Sequence, residues 1–212
     1  DSDANTLAED VSNGASAEIT ASATDADGST NTVTYAITAQ SCSGAFAIDA
    51  STGAVTVADT SAIDYEAGVT SCTITVTATS ADGSTSDATF TVSITDADEF
   101  DVSSSSDTDT DANTLAESVS NGASAEITAS ATDSDATTNT VTYAISSQSC
   151  TGAFAIGSSS GAVTVADTSA IDYESGTTCT VTVRATSADS STADATFTVT
   201  ITDVDEFDVG SV

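Results

Sequence analysis

Thr89-Phe-Thr-Val-Ser-Ile-Thr95 alternates strictly, with Phe90, Val92 and Ile94 on one side of an extended chain and hydroxyls on the other. A period of two marks a strand with one buried face, whereas a helix repeats its apolar positions every 3.6 residues. Thr73-Ile-Thr-Val-Thr77 does the same with Ile74 and Val76, and Val33, Tyr35 and Ile37 alternate with Thr34 and Ala36. Shorter runs stand at 17–23, 45–48 and 54–57, punctuated by the turn pairs Asp27-Gly28, Ser51-Thr-Gly53 and Asp82-Gly83. Thr, Val and Ile dominate, and no stretch has a helical period. The pattern predicts about seven short strands at regular spacing, the layout of an antiparallel β-sandwich.

The pattern then returns. Asp3-Ala-Asn-Thr-Leu-Ala-Glu9 recurs as Asp111-Ala-Asn-Thr-Leu-Ala-Glu117, an offset of 108 that Cys42 and Cys150 keep. Cys72 and Cys179 are 107 apart, because Ala67-Gly-Val-Thr-Ser71 shortens to Ser175-Gly-Thr-Thr178. A single deletion belongs in a surface connection. The chain of 212 residues is expected to form two globular domains in series, 1–99 and 100–206, with 207–212 beginning a following repeat. On this reading Phe100-Asp-Val102 opens the first strand of the second repeat and Phe207–Val212 that of a third. The sequence reads as an internal piece of a longer chain.

Charge narrows the function. One Arg, no Lys and no His stand against 33 acidic residues, a net charge of −32. Nucleic acid and anionic membrane surfaces both need basic contacts, so neither is expected as a partner. Nor is there an apolar run long enough to insert into a membrane. Such a charge pushes a compact state apart unless cations offset it. The acids fit either the solvated surface of a protein from a saline setting or specific divalent binding. With 39% hydrophobic residues in strand-like runs, a folded chain is expected. Without His or Lys, the usual nucleophile–base pairs are missing, and no enzyme is expected.

Cysteines occur two per repeat at matching places, without a CxxC pattern. They read as disulfides of an oxidising compartment. Cys72 shares the parity of Ile74 and Val76 and points inward, while Cys42 follows the Val33–Ile37 strand. A Cys42–Cys72 bridge and its counterpart Cys150–Cys179 are expected, each worth roughly 3–4 kcal/mol by loop closure. Free buried thiols are the alternative.

Acids gather at the end of each repeat, in Thr95-Asp-Ala-Asp-Glu-Phe-Asp-Val102 and again in Thr202-Asp-Val-Asp-Glu-Phe-Asp-Val209. A carboxylate cluster closing a strand suggests a held cation. A second acidic run, Asp107-Thr-Asp-Thr-Asp-Ala-Asn113, lacks the Gly and the closing Glu of a calcium loop and reads as a solvated loop.

Five short motifs, in order and twice over, resemble the cadherin repeat, most closely the cadherin-like repeats of large bacterial extracellular adhesins. Leu7-Ala-Glu9 is similar to V-x-E, and Ala23-Thr-Asp-Ala-Asp-Gly28 to A-x-D-x-D-G. Val33-Thr-Tyr-Ala-Ile37 with Phe46-Ala-Ile-Asp49 and Thr52-Gly53 follows the family's middle strands. Ile63-Asp-Tyr-Glu66 resembles L-D-x-E, and Asp96-Ala-Asp-Glu99 stands where D-x-N-D-N lies. The resemblance covers nearly the whole chain. It implies two tandem seven-stranded Greek-key β-sandwiches of immunoglobulin-like architecture, with Ca2+ between successive repeats.

The ligands it implies are Glu9, Asp64, Glu66, Asp96, Asp98 and Glu99 from repeat one, with Asp133 and Asp135 from repeat two. Asp25 and Asp27 at one outer end form a half-site. Glu117, Asp172, Glu174, Asp203, Asp205 and Glu206 form another at the opposite end. Phe100 stands where the last Asn of D-x-N-D-N is expected, which points to fewer ions per junction than the family's maximum of three. Asp189 falls two residues beyond a further ligand position.

The resemblance implies an extracellular or cell-surface, calcium-rigidified structural or adhesive repeat of a long secreted or surface-attached protein. Its partners are then neighbouring repeats or like subunits, with a cell-surface or carbohydrate ligand as a further expectation. A repeating subunit of a self-assembled extracellular filament is the second reading. A carbohydrate- or ice-binding surface on the outer threonines, Thr73, Thr75, Thr77, Thr89, Thr91 and Thr95, is the third.

Overall fold

The computed structural model describes residues 5–29 and 31–205. The chain divides into two compact units: one up to Glu99 together with Asp135–Thr137, the other Phe100–Ser134 and Thr138 onward. The 207–212 segment lies outside the described residues.

The first unit is built from β1 (Thr6–Ala8), β2 (Ser16–Thr20), β3 (Val33–Gln40), β4 (Phe46–Ile48), β5 (Ala54–Val57), β6 (Ser71–Ser80) and β7 (Thr85–Thr95). β1-β7-β6-β3 form one sheet and β2-β5-β4 the other, so the chain changes sheets after β1, β2, β3 and β5 in a Greek key. The predicted alternation is real. In β6, Cys72, Ile74 and Val76 are buried at 0%, 0% and 2% exposure while Thr73 and Thr75 lie outside that core. Ile19, Val55, Val57, Ile63, Val92 and Ile94 complete an aliphatic core between the sheets. β-branched residues suit it, because their stiff side chains stand off a pleated surface with few rotamers to lose.

The second unit repeats this with one strand more than the seven expected: β8 (Ser106–Asp107), β9 (Thr114–Ala116), β10 (Ser124–Ser130), β11 (Thr142–Gln148), β12 (Phe154–Ile156), β13 (Ala162–Val165), β14 (Thr178–Thr186) and β15 (Thr192–Thr202). Its sheets are β11-β14-β15-β9 and β12-β13-β10-β8. The architecture is the all-β Greek-key sandwich expected, with no described helix long and apolar enough to cross a membrane. The only helical turns among the described residues are 3-10 turns at Thr60–Ala62 and Thr168–Ala170, capped by Asp59 and Asp167.

Three features differ from the sequence reading. The opening strand of the second unit is Ser106–Asp107 rather than Phe100–Val102. Val102 is buried, but its N–H goes to Ser191 Oγ at 2.9 Å, so no ladder starts there. β1 and β9 pair parallel to β7 and β15, where hairpin logic favours antiparallel neighbours. Finally, Glu18 and Glu126 take left-handed backbone, φ 58° and 56°, at register shifts in β2 and β10. Each Glu there turns its carboxylate onto the first amide of the preceding strand: Thr6 N–H at 3.4 Å and Thr114 N–H at 3.0 Å. A bulge of this kind re-aims side chains at a local backbone cost.

Both disulfides are formed. Cys42–Cys72 and Cys150–Cys179 each span a Cα separation of 5.5 Å, and neither repeat keeps a free thiol.

Candidate metal centres

Glu9 follows β1 and is buried to 7% exposure. A buried carboxylate must have its oxygens satisfied. Glu9 Oε1 accepts the Ala97 N–H at 3.0 Å, and Oε2 accepts the Tyr65 N–H. Tyr65 lies between Asp64 and Glu66, and Ala97 follows Asp96, so one carboxylate ties two acidic turns to the start of the repeat. Carboxylate oxygens of Glu9, Glu66 and Asp96 consequently lie within 4.8 Å of one another.

The second unit repeats the arrangement. Glu117 Oε2 accepts the Tyr173 N–H at 2.8 Å and Oε1 the Val204 N–H at 2.6 Å. Glu117, Glu174 and Asp203 then converge within the same 4.8 Å.

Charge of one sign is concentrated in these trios. Burial pushes the Glu66 carboxyl above its usual range, helped by its hydrogen bond with Asp96. Burial likewise raises Glu99, with the charges of Glu9 and Asp135 adding to it. At Glu174 its own backbone amide pulls downward, but burial and the charges of Glu117, Asp203 and Asp172 outweigh it. No lysine or histidine exists to neutralise them, and the single Arg184 forms a two-pronged pair with Asp194 at 2.8 Å.

Other expected residues fall differently. Asp25 and Asp27 converge with Asp82 within 4.8 Å. Asp82 is an addition: in sequence it belongs to an Asp-Gly turn, and the residue that would reveal its second role is far away in the chain. Asp25 also accepts the Ser80 hydroxyl. Asp64 is exposed and accepts its own turn's Ala67 N–H at 2.8 Å. Asp172 does the same with the Glu174 N–H at 3.0 Å and the Ser175 hydroxyl at 2.7 Å, and those Ser175 bonds hold its carboxyl below the usual range. Neither joins the trio of its own repeat. Asp135 is 1% exposed and accepts the Glu99 N–H at 3.2 Å. Asp98 and Asp205 are exposed and Asp133 is half-buried. Glu206 lies outside the described residues.

The run 107–113 is a hydrogen-bonded loop. Asp107 Oδ1 accepts the Thr128 N–H at 2.9 Å and the Asp109 N–H at 3.0 Å, and its Oδ2 accepts the Asn113 side-chain amide at 3.1 Å.

The donors of each trio are hard carboxylate oxygens, the set a calcium ion takes. In the first trio Asp96 Oδ1 is buried and accepts no hydrogen bond among the described residues. An orphaned anionic oxygen beside two further carboxylates fits a cation.

Comparison with known proteins follows the same lines. The sequence model of the cadherin domain matches residues 6–95 and again 113–202. No curated protein sequence is significantly similar to the chain. Among solved structures, protocadherin gamma B2 extracellular cadherin domains 1–5 share 23% identity at a TM-score of 0.79, over 95% of this chain and 38% of that one. Mouse cadherin-23 EC22–24 shares 22% at a TM-score of 0.76, over 95% of this chain and 64% of that one. A cis-dimer of protocadherin gammaB7 EC3–6 shares 19% at a TM-score of 0.73, over 92% and 49%. The chain thus spans between 38% and 64% of the length of these structures.

Proposed function

The chain belongs to the cadherin family, as two consecutive cadherin domains, and on that premise we propose that it is a calcium-rigidified structural or adhesive segment of a longer extracellular protein. Cadherin domains are extracellular adhesion modules rather than enzymes, and they typically bind calcium. The observation that carries the reading is the pair of equivalent trios, Glu9–Glu66–Asp96 and Glu117–Glu174–Asp203, each closed to within 4.8 Å in a chain with one basic side chain.

Calcium supplies two positive charges and accepts six to eight oxygens in flexible geometry. The chain's residues do the rest. Glu9 and Glu117 hold the turns in place through two backbone amides each. Glu66 with Asp96, and Glu174 with Asp203, present the remaining oxygens. The resemblance adds Asp64, Asp98, Glu99, Asp133 and Asp135 to the first set and Asp172, Asp205 and Glu206 to the second. In this reading ligands from successive repeats share ions, so binding and stiffening are one event. Its partners in this reading are other cadherin repeats. The protocadherin gammaB7 cis-dimer supports lateral pairing of like chains as a second mode.

Small-angle scattering in calcium and in chelator tests it. The expected result is a longer maximum dimension and a higher melting temperature in calcium, both lost in Glu66→Gln with Asp96→Asn. An unchanged profile in saturating calcium would overturn the reading.

A further inference from the structure

We propose that the Cys42–Cys72 disulfide is a positioning element of the first repeat's cation site, setting its affinity as well as the stability of the fold. The inference rests on the calcium reading above. The bond joins residues separated by 30 positions, and Glu66 lies inside that ring while Glu9 and Asp96 lie outside it. It therefore anchors one ligand of the trio relative to the other two.

The path from Glu66 to Cys72 is short and folded back on itself. Gly68 N–H bonds Tyr65 C=O at 2.9 Å and Val69 N–H bonds Asp64 C=O at 3.1 Å. The turn then reaches β7: Ile94 N–H bonds Thr70 C=O at 3.0 Å, and Cys72 stands opposite Val92. β7 is the strand that delivers Asp96 two residues after Ile94. The gap between Glu66 and Asp96 is thus set at the start of β6, and the disulfide holds that point from the other side. Ser41 reinforces it, its N–H on Thr73 C=O at 3.0 Å and its hydroxyl accepting the Thr73 N–H at 2.9 Å. In the second repeat Cys150 lines one cleft with Asp172, Ser175, Gly176 and Thr178, the residues of the equivalent turn on either side of Glu174. A covalent anchor reduces the positions Glu66 samples before the ion arrives, and preorganisation of that kind appears as affinity.

The test is a calorimetric calcium titration of the whole chain carrying Glu174→Gln and Asp82→Asn, which disable the second repeat's trio and the Asp25–Asp27–Asp82 cluster so that the first trio dominates the heat. Cys42→Ala with Cys72→Ala is expected to weaken binding about tenfold. A second variant keeps the disulfide and the core but inserts two glycines after Gly68, where the backbone is left-handed and the surroundings are open. It is expected to weaken binding by a similar factor with little change in melting temperature in chelator. Should the alanine pair fail to fold, Cys42→Ala with Cys72→Val, which refills the buried Cys72 position, takes its place. Affinities within twofold of the parent in every folded variant would overturn the inference while leaving the calcium reading intact. A parent that releases no heat with calcium would overturn both.

Discussion

Glu9 Oε1 accepts the backbone N–H of Ala97 at 3.0 Å across 88 residues of sequence. One buried carboxylate therefore joins the beginning of a repeat to its end, and its other oxygen takes the Tyr65 N–H. Glu9→Ala should leave two amides without their acceptor in a partly buried setting. A loss of about 2–4 kcal/mol is expected from their desolvation. Chemical denaturation in chelator measures this apart from any metal effect, and Glu117→Ala should behave alike through Tyr173 and Val204.

Acid and base should act oppositely on the chelated protein. Glu66, Glu99 and Glu174 have folded values raised above the ordinary 4.5. The stability they contribute is complete below that value and is lost as pH rises through their folded values. Asp49, Asp82, Asp167, Asp172 and Asp194 are held below the ordinary 3.8 by hydrogen bonds to their carboxylates. Their contribution is complete above 3.8 and is lost as pH falls through the lowered values. Melting temperature in chelator should therefore peak at about pH 4–5 and fall towards neutrality. Saturating calcium should remove the fall, because the raised carboxyls then meet a cation. A melting temperature in chelator that keeps rising to pH 7 would contradict this assignment.

Gly53 and Gly161 occupy a place no other residue fits. A Cβ at Gly53 would stand 2.2 Å from Ala21 O, and one at Gly161 1.9 Å from Ala129 O, both at positive φ. Those carbonyls belong to backbone, which cannot swing aside. Gly53→Ala should cost several kcal/mol, whereas Gly14→Ala, with nothing within 4 Å, should cost about 1 kcal/mol from its φ alone. Parallel thermal melts of the two variants check the contrast.

Removing Cys150–Cys179 by paired alanines should destabilise the second repeat by about 3.6 kcal/mol, the loop-closure value for a ring of this size. Its separation of 29 against 30 in the first repeat predicts nearly equal losses for the two bonds. Unfolding in denaturant with and without each pair measures it.

Strand identity was legible wherever one face is buried, because alternation at Cys72, Ile74 and Val76 follows directly from which side meets the core. The trio of Glu9, Glu66 and Asp96 was legible only through motif order, since 57 and 30 residues separate its members in sequence. Asp82 was not legible as a neighbour of Asp25 and Asp27. Its carboxylate accepts the Ser84 N–H at 2.8 Å, the bond any Asp-Gly turn makes, so its local sequence looks complete. The bulges at Glu18 and Glu126 were hidden for a related reason: glutamate carries no signal for left-handed backbone, and the cause is a tertiary bond to Thr6 or Thr114. The lead into β8 was misplaced because Val102 is buried by a side-chain hydroxyl contact instead of a ladder.

The parallel pairing of β1 with β7 has a mechanical side. Thr6, Leu7 and Ala8 lie beside Ser93, Ile94 and Thr95 and run in the same direction. Tension applied through the two ends of the repeat draws these strands past each other along their length. The bonds at Ser93 N–H to Asn5 C=O, 2.8 Å, and Glu9 N–H to Thr95 C=O, 3.1 Å, bracket the seam and are loaded together, not one after another. A seam sheared as a unit yields at higher force than one peeled from an end, and Glu9, bonded on to Ala97, extends it by one more rung.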